Sequence, residues 1–78
     1  MILVTEKNVI DVQESQILLD GEVFVKGDFS YFFTDQESDS TFHLDAGRAD
    51  PQVGDRLIVF KEGEEHPVYQ SFPITEVK

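Results

Sequence analysis

The sequence predicts an all-β domain, a small barrel or a strongly coiled antiparallel sheet with little or no helix. Apolar residues come in short runs or in alternation, bounded by glycine, proline and polar clusters, which is strand-like spacing. Asp20-Gly21 separates Ile17-Leu18-Leu19 from Val23-Phe24-Val25. Asp-Gly readily takes the two positive-φ positions of a type I′ turn, whose twist matches a right-handed hairpin. Seven Phe and two Tyr with no cysteine leave an aromatic and aliphatic core, of the kind that fits a pleated, half-buried surface.

Taken in order, Ile2-Leu3-Val4-Thr5 is an apolar run suited to a first strand, and Lys7-Asn8 a turn or bulge after it. From Val9 to Phe33 the chain reads as a meander opening with one long hairpin about Asp20-Gly21. A two-residue loop there pairs positions whose numbers sum to 41, placing Leu18 against Val23, Val12 against Phe29 and Ile10 against Tyr31. That register puts Ile10, Val12, Leu18, Val23, Val25, Phe29, Tyr31 and Phe33 on one face, expected to be the core. Its weak middle is Glu14-Ser15-Gln16 opposite Val25-Lys26-Gly27, where glycine suggests a bulge or bend. A hairpin that is apolar on its second face only at the ends is expected to coil, as a sheet does when it curls into a barrel.

Beyond Phe33, Thr34 to Ser40 is a polar loop, and Thr41-Phe42-His43-Leu44-Asp45 alternates as a strand. Residues 46–54 are irregular. Arg56-Leu57-Ile58-Val59-Phe60-Lys61 sets an unbroken apolar run between charges, as in a strand buried on both faces. Glu62 to Pro67 is a hairpin loop; Val68 to Phe72 and Ile74 to Val77 follow as strands, with Pro73 forcing an edge or bend between them. No repeat or linker divides the chain, so residues 1–78 form one domain. The phrase Val53-Gly54-Asp55-Arg56-Leu57-Ile58-Val59-Phe60 resembles one found in OB-folds, SH3-like barrels and PUA or ASCH-type domains, which place a Gly-Asp turn before a buried strand. That resemblance implies a barrel and carries no function, because the Lys and Glu of an ASCH-type site have no counterpart here.

Charge narrows the function. Sixteen acids against six bases give a net charge of −10. Such a surface repels nucleic acid and anionic membrane and favours basic proteins or cations. Met1 to Val4 lacks the basic flank and length of a signal peptide, and no run approaches the ~20 apolar residues of a membrane span, so a cytoplasmic location is expected.

Asp35, Glu37 and Asp39 alternate as in a calcium loop, but Ser40 stands where an EF-hand needs glycine and Ala46 where it needs glutamate. His43 and His66 lie in separate segments, and no cysteine adds to them, so no metal or cofactor is expected. Ser30, Ser38, Ser40 and Ser71 sit in no nucleophile elbow, and no enzyme activity is expected. Phe32, opposed to the core-facing Phe29, Tyr31 and Phe33, is a candidate interface residue.

Nine of the acids fall between Asp35 and Glu65. If the two loops meet, Asp35, Glu37, Asp39, Glu62, Glu64 and Glu65 form an acidic patch for a basic protein surface. In size, charge and lack of cysteine the chain resembles DNA-mimic proteins, a likeness of composition that implies an inhibitor or adaptor binding a nucleic-acid-associated protein. The alternatives are a small-molecule or cation-binding barrel and an oligomeric assembly protein pairing through sheet edges and Phe32.

Overall fold

A computed structural model describes residues 1–35 and 50–78. Eight strands form two antiparallel sheets: β1 (Ile2–Thr5), β2 (Val9–Val12), β3 (Gln16–Leu19), β4 (Glu22–Val25), β5 (Phe29–Thr34), β6 (Arg56–Lys61), β7 (Tyr69–Gln70) and β8 (Ile74–Val77). One sheet has the order β4-β3-β2-β1-β8, the other β5-β6-β7. The all-β expectation holds, and there is no helix among the described residues. No ladder joins the two sheets into a closed barrel among those residues.

The long hairpin is corrected. Near the turn the expected register stands, with Leu18 opposite Val23 and Ile17 opposite Phe24. Asp20 at φ 49° and Gly21 at φ 81° supply the two left-handed residues of the I′ turn. Farther out the ribbon does not continue. Val12 stands opposite Ile17 and Ile10 opposite Leu19, so β2 pairs with the other side of β3. The stretch Glu14-Ser15-Gln16, expected to be a weak middle of the ribbon, belongs to a second turn closed by the Gln13 amide donating to the Gln16 carbonyl at 2.8 Å. After Val25 the chain turns at Lys26-Gly27-Asp28, the Asp28 amide donating to the Val25 carbonyl at 3.0 Å, and enters the other sheet. Phe29, Tyr31 and Phe33 therefore oppose Lys61, Val59 and Leu57 of β6.

This change reverses which face of the β3-β4 hairpin is inside. Ile17 and Leu19 are buried and Phe24 packs against the core, whereas Val23 and Val25 are exposed and Leu18 only half-buried. Ile17 and Leu19 had to follow Val12 and Ile10, their direct cross-strand neighbours, because partners in a ladder share a face.

The core lies between the sheets. Leu3, Ile10, Val12, Ile17 and Leu19 from one meet Phe33, Leu57 and Val59 from the other, with Phe24, Phe29, Tyr31 and Tyr69 at the margin. Phe24 meets Phe29 edge-to-face at 4.9 Å, across the corner where the chain changes sheets. β6 is buried on both faces as its apolar run predicts, since Ile58 is inaccessible too. Pro73 marks the return to the first sheet. Ile74 opens β8, its amide donating to the Asp55 carbonyl at 2.7 Å while its carbonyl accepts from the Gly54 amide at 2.8 Å.

The Gly-Asp phrase before β6 has a local explanation. Gly54 at φ 97° completes a tight turn that an L-residue would strain. The buried Asp55 carboxylate accepts from the Gln52 amide at 2.9 Å, closing that turn. These residues set the entry of β6 into the core; they are structural.

Candidate functional site: an acid-rimmed sheet face

The outward face of the five-stranded sheet gathers Leu18, Val23 and Val25, which the ribbon register assigns to the core, together with Val9, which that register puts on the second face. Val9 is 58% exposed, Val23 53% and Val25 50%, with Leu18 half-buried among them. They share a face because Leu18 pairs with Val23 across the β3-β4 ladder and with Asp11 across the β2-β3 ladder. Val9, Leu18 and Val23 line an open depression of about 390 Å³ together with Asp11, Asp20, Gly21 and Glu22. Among the described residues, no lysine or arginine lines it. An apolar floor with a carboxylate rim suits an apolar segment that carries positive charge.

Hydrogen bonds fix the rim. Asp11 accepts from the Gln13 side-chain amide at 2.9 Å, and Gln13 accepts from the Gln16 amide at 3.2 Å, along the second turn. Asp20 accepts from the Asn8 side-chain amide at 3.0 Å, and Asn8 also donates to the Tyr69 hydroxyl at 3.0 Å. The Asp20-Gly21 turn is thereby tied, through one side chain, to β7 of the opposite sheet.

The acidic loops are arranged differently. Asp35 is exposed directly after Thr34, which pairs with Arg56 at the start of β6. Glu62, Glu64 and Glu65 are exposed after Lys61, at its other end. The length of β6, roughly 16 Å at the usual rise of a strand, separates the two. Glu62 instead neighbours Asp28, whose carbonyl accepts from its amide at 3.0 Å, in a second depression lined by Asp28, Phe29, Lys61 and Glu62. Here a lysine stands among the acids. Glu37 and Asp39 lie outside the described residues, as do His43, Ser38, Ser40 and the expected strand at 41–45.

Phe32 is half-buried and stacks on Phe60, with ring centroids 5.7 Å apart and planes 20° from parallel. Part of its apolar area is thus already covered within the chain. His66 is exposed, and among the described residues no group of three or more His, Asp or Glu converges to hold a metal ion. Ser71 is buried, and its hydroxyl accepts from the Leu57 amide at 2.8 Å while donating to the Phe72 carbonyl at 2.8 Å. Both roles are architectural. No helix is long and apolar enough to cross a membrane among the described residues.

The apolar face was missed because Leu18, Val23 and Val25 look like core in any hairpin. The signal that would have exposed them is the polar run Gln13-Glu14-Ser15-Gln16, which as a turn forces Ile17 and Leu19 inward. Comparison with protein families, characterised proteins and solved structures finds no match to this chain.

Proposed function

We propose that this domain is an acidic protein-binding module that engages a basic surface of another protein, as an inhibitor or adaptor does. The observation that carries the reading is the sheet face on which exposed Val9 and Val23 lie beside Asp11, at a depression whose lining also takes in Asp20 and Glu22 and, among the described residues, no lysine or arginine. Apolar contact supplies affinity there, and the carboxylates select a positive partner and speed its approach. The net charge of −10 favours the same class of partner, including proteins whose basic surface ordinarily meets nucleic acid.

The test is capture of a partner by the immobilised domain over a salt series. Binding should weaken steadily with salt and fall in the charge-neutral variant Asp11→Asn/Glu22→Gln. A parallel variant, Glu62→Gln/Glu64→Gln/Glu65→Gln, separates the sheet face from the β6-β7 loop. Capture that ignores salt and survives both variants overturns the reading.

A further inference from the structure

The backbone beside that face leads one step further, on the basis of the function just proposed. Strand β4 is the last strand of its sheet, and among the described residues only β3 pairs with it. In a hairpin closed by a two-residue turn, hydrogen-bonded and non-bonded pairs alternate from the turn outward. Leu19 and Glu22 form the first bonded pair, Ile17 and Phe24 the next, and the Lys26 amide donating to the Ser15 carbonyl at 3.1 Å continues the series. Val23 and Val25 are the non-bonded positions. Their amides, and the Val23 carbonyl, point away from β3 along the open edge. The Val25 carbonyl is already used, accepting from Asp28.

We infer that β4 takes up an extended segment of the partner as an added strand, in which apolar residues alternate with Lys or Arg. One set of guest side chains would lie beside exposed Val23 and Val25, extending the apolar floor toward Leu18 and Val9. The alternate set would lie on the opposite side, with Glu22, while Asp11 borders the apolar set across the outward face and Asp20 stands at the turn. Main-chain bonds to the Val23 and Val25 groups give register, and charge gives selectivity. A second copy of the chain is the wrong occupant on electrostatic grounds. Edge-to-edge pairing would bring two Glu22 rims and two net charges of −10 together.

The probe is a short blocked peptide alternating Lys and Val, with a Glu-Val peptide as control, followed by amide exchange and chemical shifts of the intact domain. The Lys-Val peptide should bind in a salt-dependent manner and slow exchange at the Val23 and Val25 amides. Val25→Pro removes one outward amide without touching the β3 ladder, and should weaken binding about tenfold or more. Val25→Lys, which keeps the amide but adds a like charge, should weaken it as well. Three outcomes overturn the inference: binding with no protection at Val23 and Val25, binding unaffected by Val25→Pro, or protection of these amides by self-association with no peptide present. If Asp11→Asn/Glu22→Gln abolishes capture of a basic partner while Val25→Pro does not, the proposed function stands and strand addition fails.

Discussion

The side-chain amide of Asn8 donates to the Tyr69 hydroxyl at 3.0 Å, linking the β1-β2 turn of one sheet to β7 of the other. The same nitrogen donates to Asp20, and the Asn8 Oδ1 accepts from the Thr5 hydroxyl at 2.6 Å. One carboxamide thus joins two turns and a strand from separate parts of the chain. Asn8→Ala should cost about 1–3 kcal/mol in denaturant unfolding, since it strands partners at three places. Tyr69→Phe, which removes one of those bonds, should cost about 1 kcal/mol. Asn8→Asp sets a carboxylate against Asp20, so its deficit relative to wild type should be greatest at low ionic strength and shrink as salt screens the two like charges. A deficit that does not change with salt would contradict this pairing.

The inside-out assignment of the β3-β4 hairpin is tested by contrast. Ile17, 1% exposed, touches the central cluster, so Ile17→Ala should cost about 2–4 kcal/mol. Val23→Thr, on the open face, should stay within about 0.5 kcal/mol of wild type. Equal losses at the two sites in urea titrations would mean that the hairpin faces the other way.

The turn before β6 has two separable parts. Gly54→Ala forces a side chain into a left-handed conformation at φ 97° and should cost about 1 kcal/mol. Asp55→Ala removes the acceptor of the Gln52 amide from a buried position and should cost about 1–3 kcal/mol. Thermal unfolding of both single variants is sufficient, and neither should change the outward face of the larger sheet.

Ser71 belongs to the ladder, not to chemistry. Ser71→Ala leaves the buried Leu57 amide without its hydroxyl acceptor and should lower stability by about 1–3 kcal/mol. An acyl-directed serine reagent should fail to label this position in the folded protein.

Net charge adds a global prediction. With −10 distributed over 78 residues, self-repulsion weakens the compact state, so the melting temperature should rise as sodium chloride is increased from low ionic strength. A falling or flat response would show that specific ion pairs outweigh the net repulsion.

Local chemistry by itself determined a good deal. Asp20-Gly21 specified its turn because few other dipeptides accept two positive φ angles, and the register beside it followed. Leu57-Ile58-Val59 specified a strand buried on both sides, and Pro73 a break between strands. The absence of cysteine and the excess of acid confine the core to aliphatic and aromatic side chains and give the chain its net charge of −10.

Only the tertiary structure decided which strands meet and which face is wet. Val12 is apolar whether it opposes Ile17 or Phe29, so the pairing rule was satisfied equally by the wrong partner. The outcome rests on two turns, at Gln13 to Gln16 and at Lys26 to Asp28, that send β5 into a separate sheet. Once β2 pairs with β3, Ile17 and Leu19 must face the second sheet, and Val23 and Val25 are turned outward on a strand that, among the described residues, only β3 pairs. A strand's two faces are exchanged by a single change of partner, and that choice depends on contacts distant in sequence.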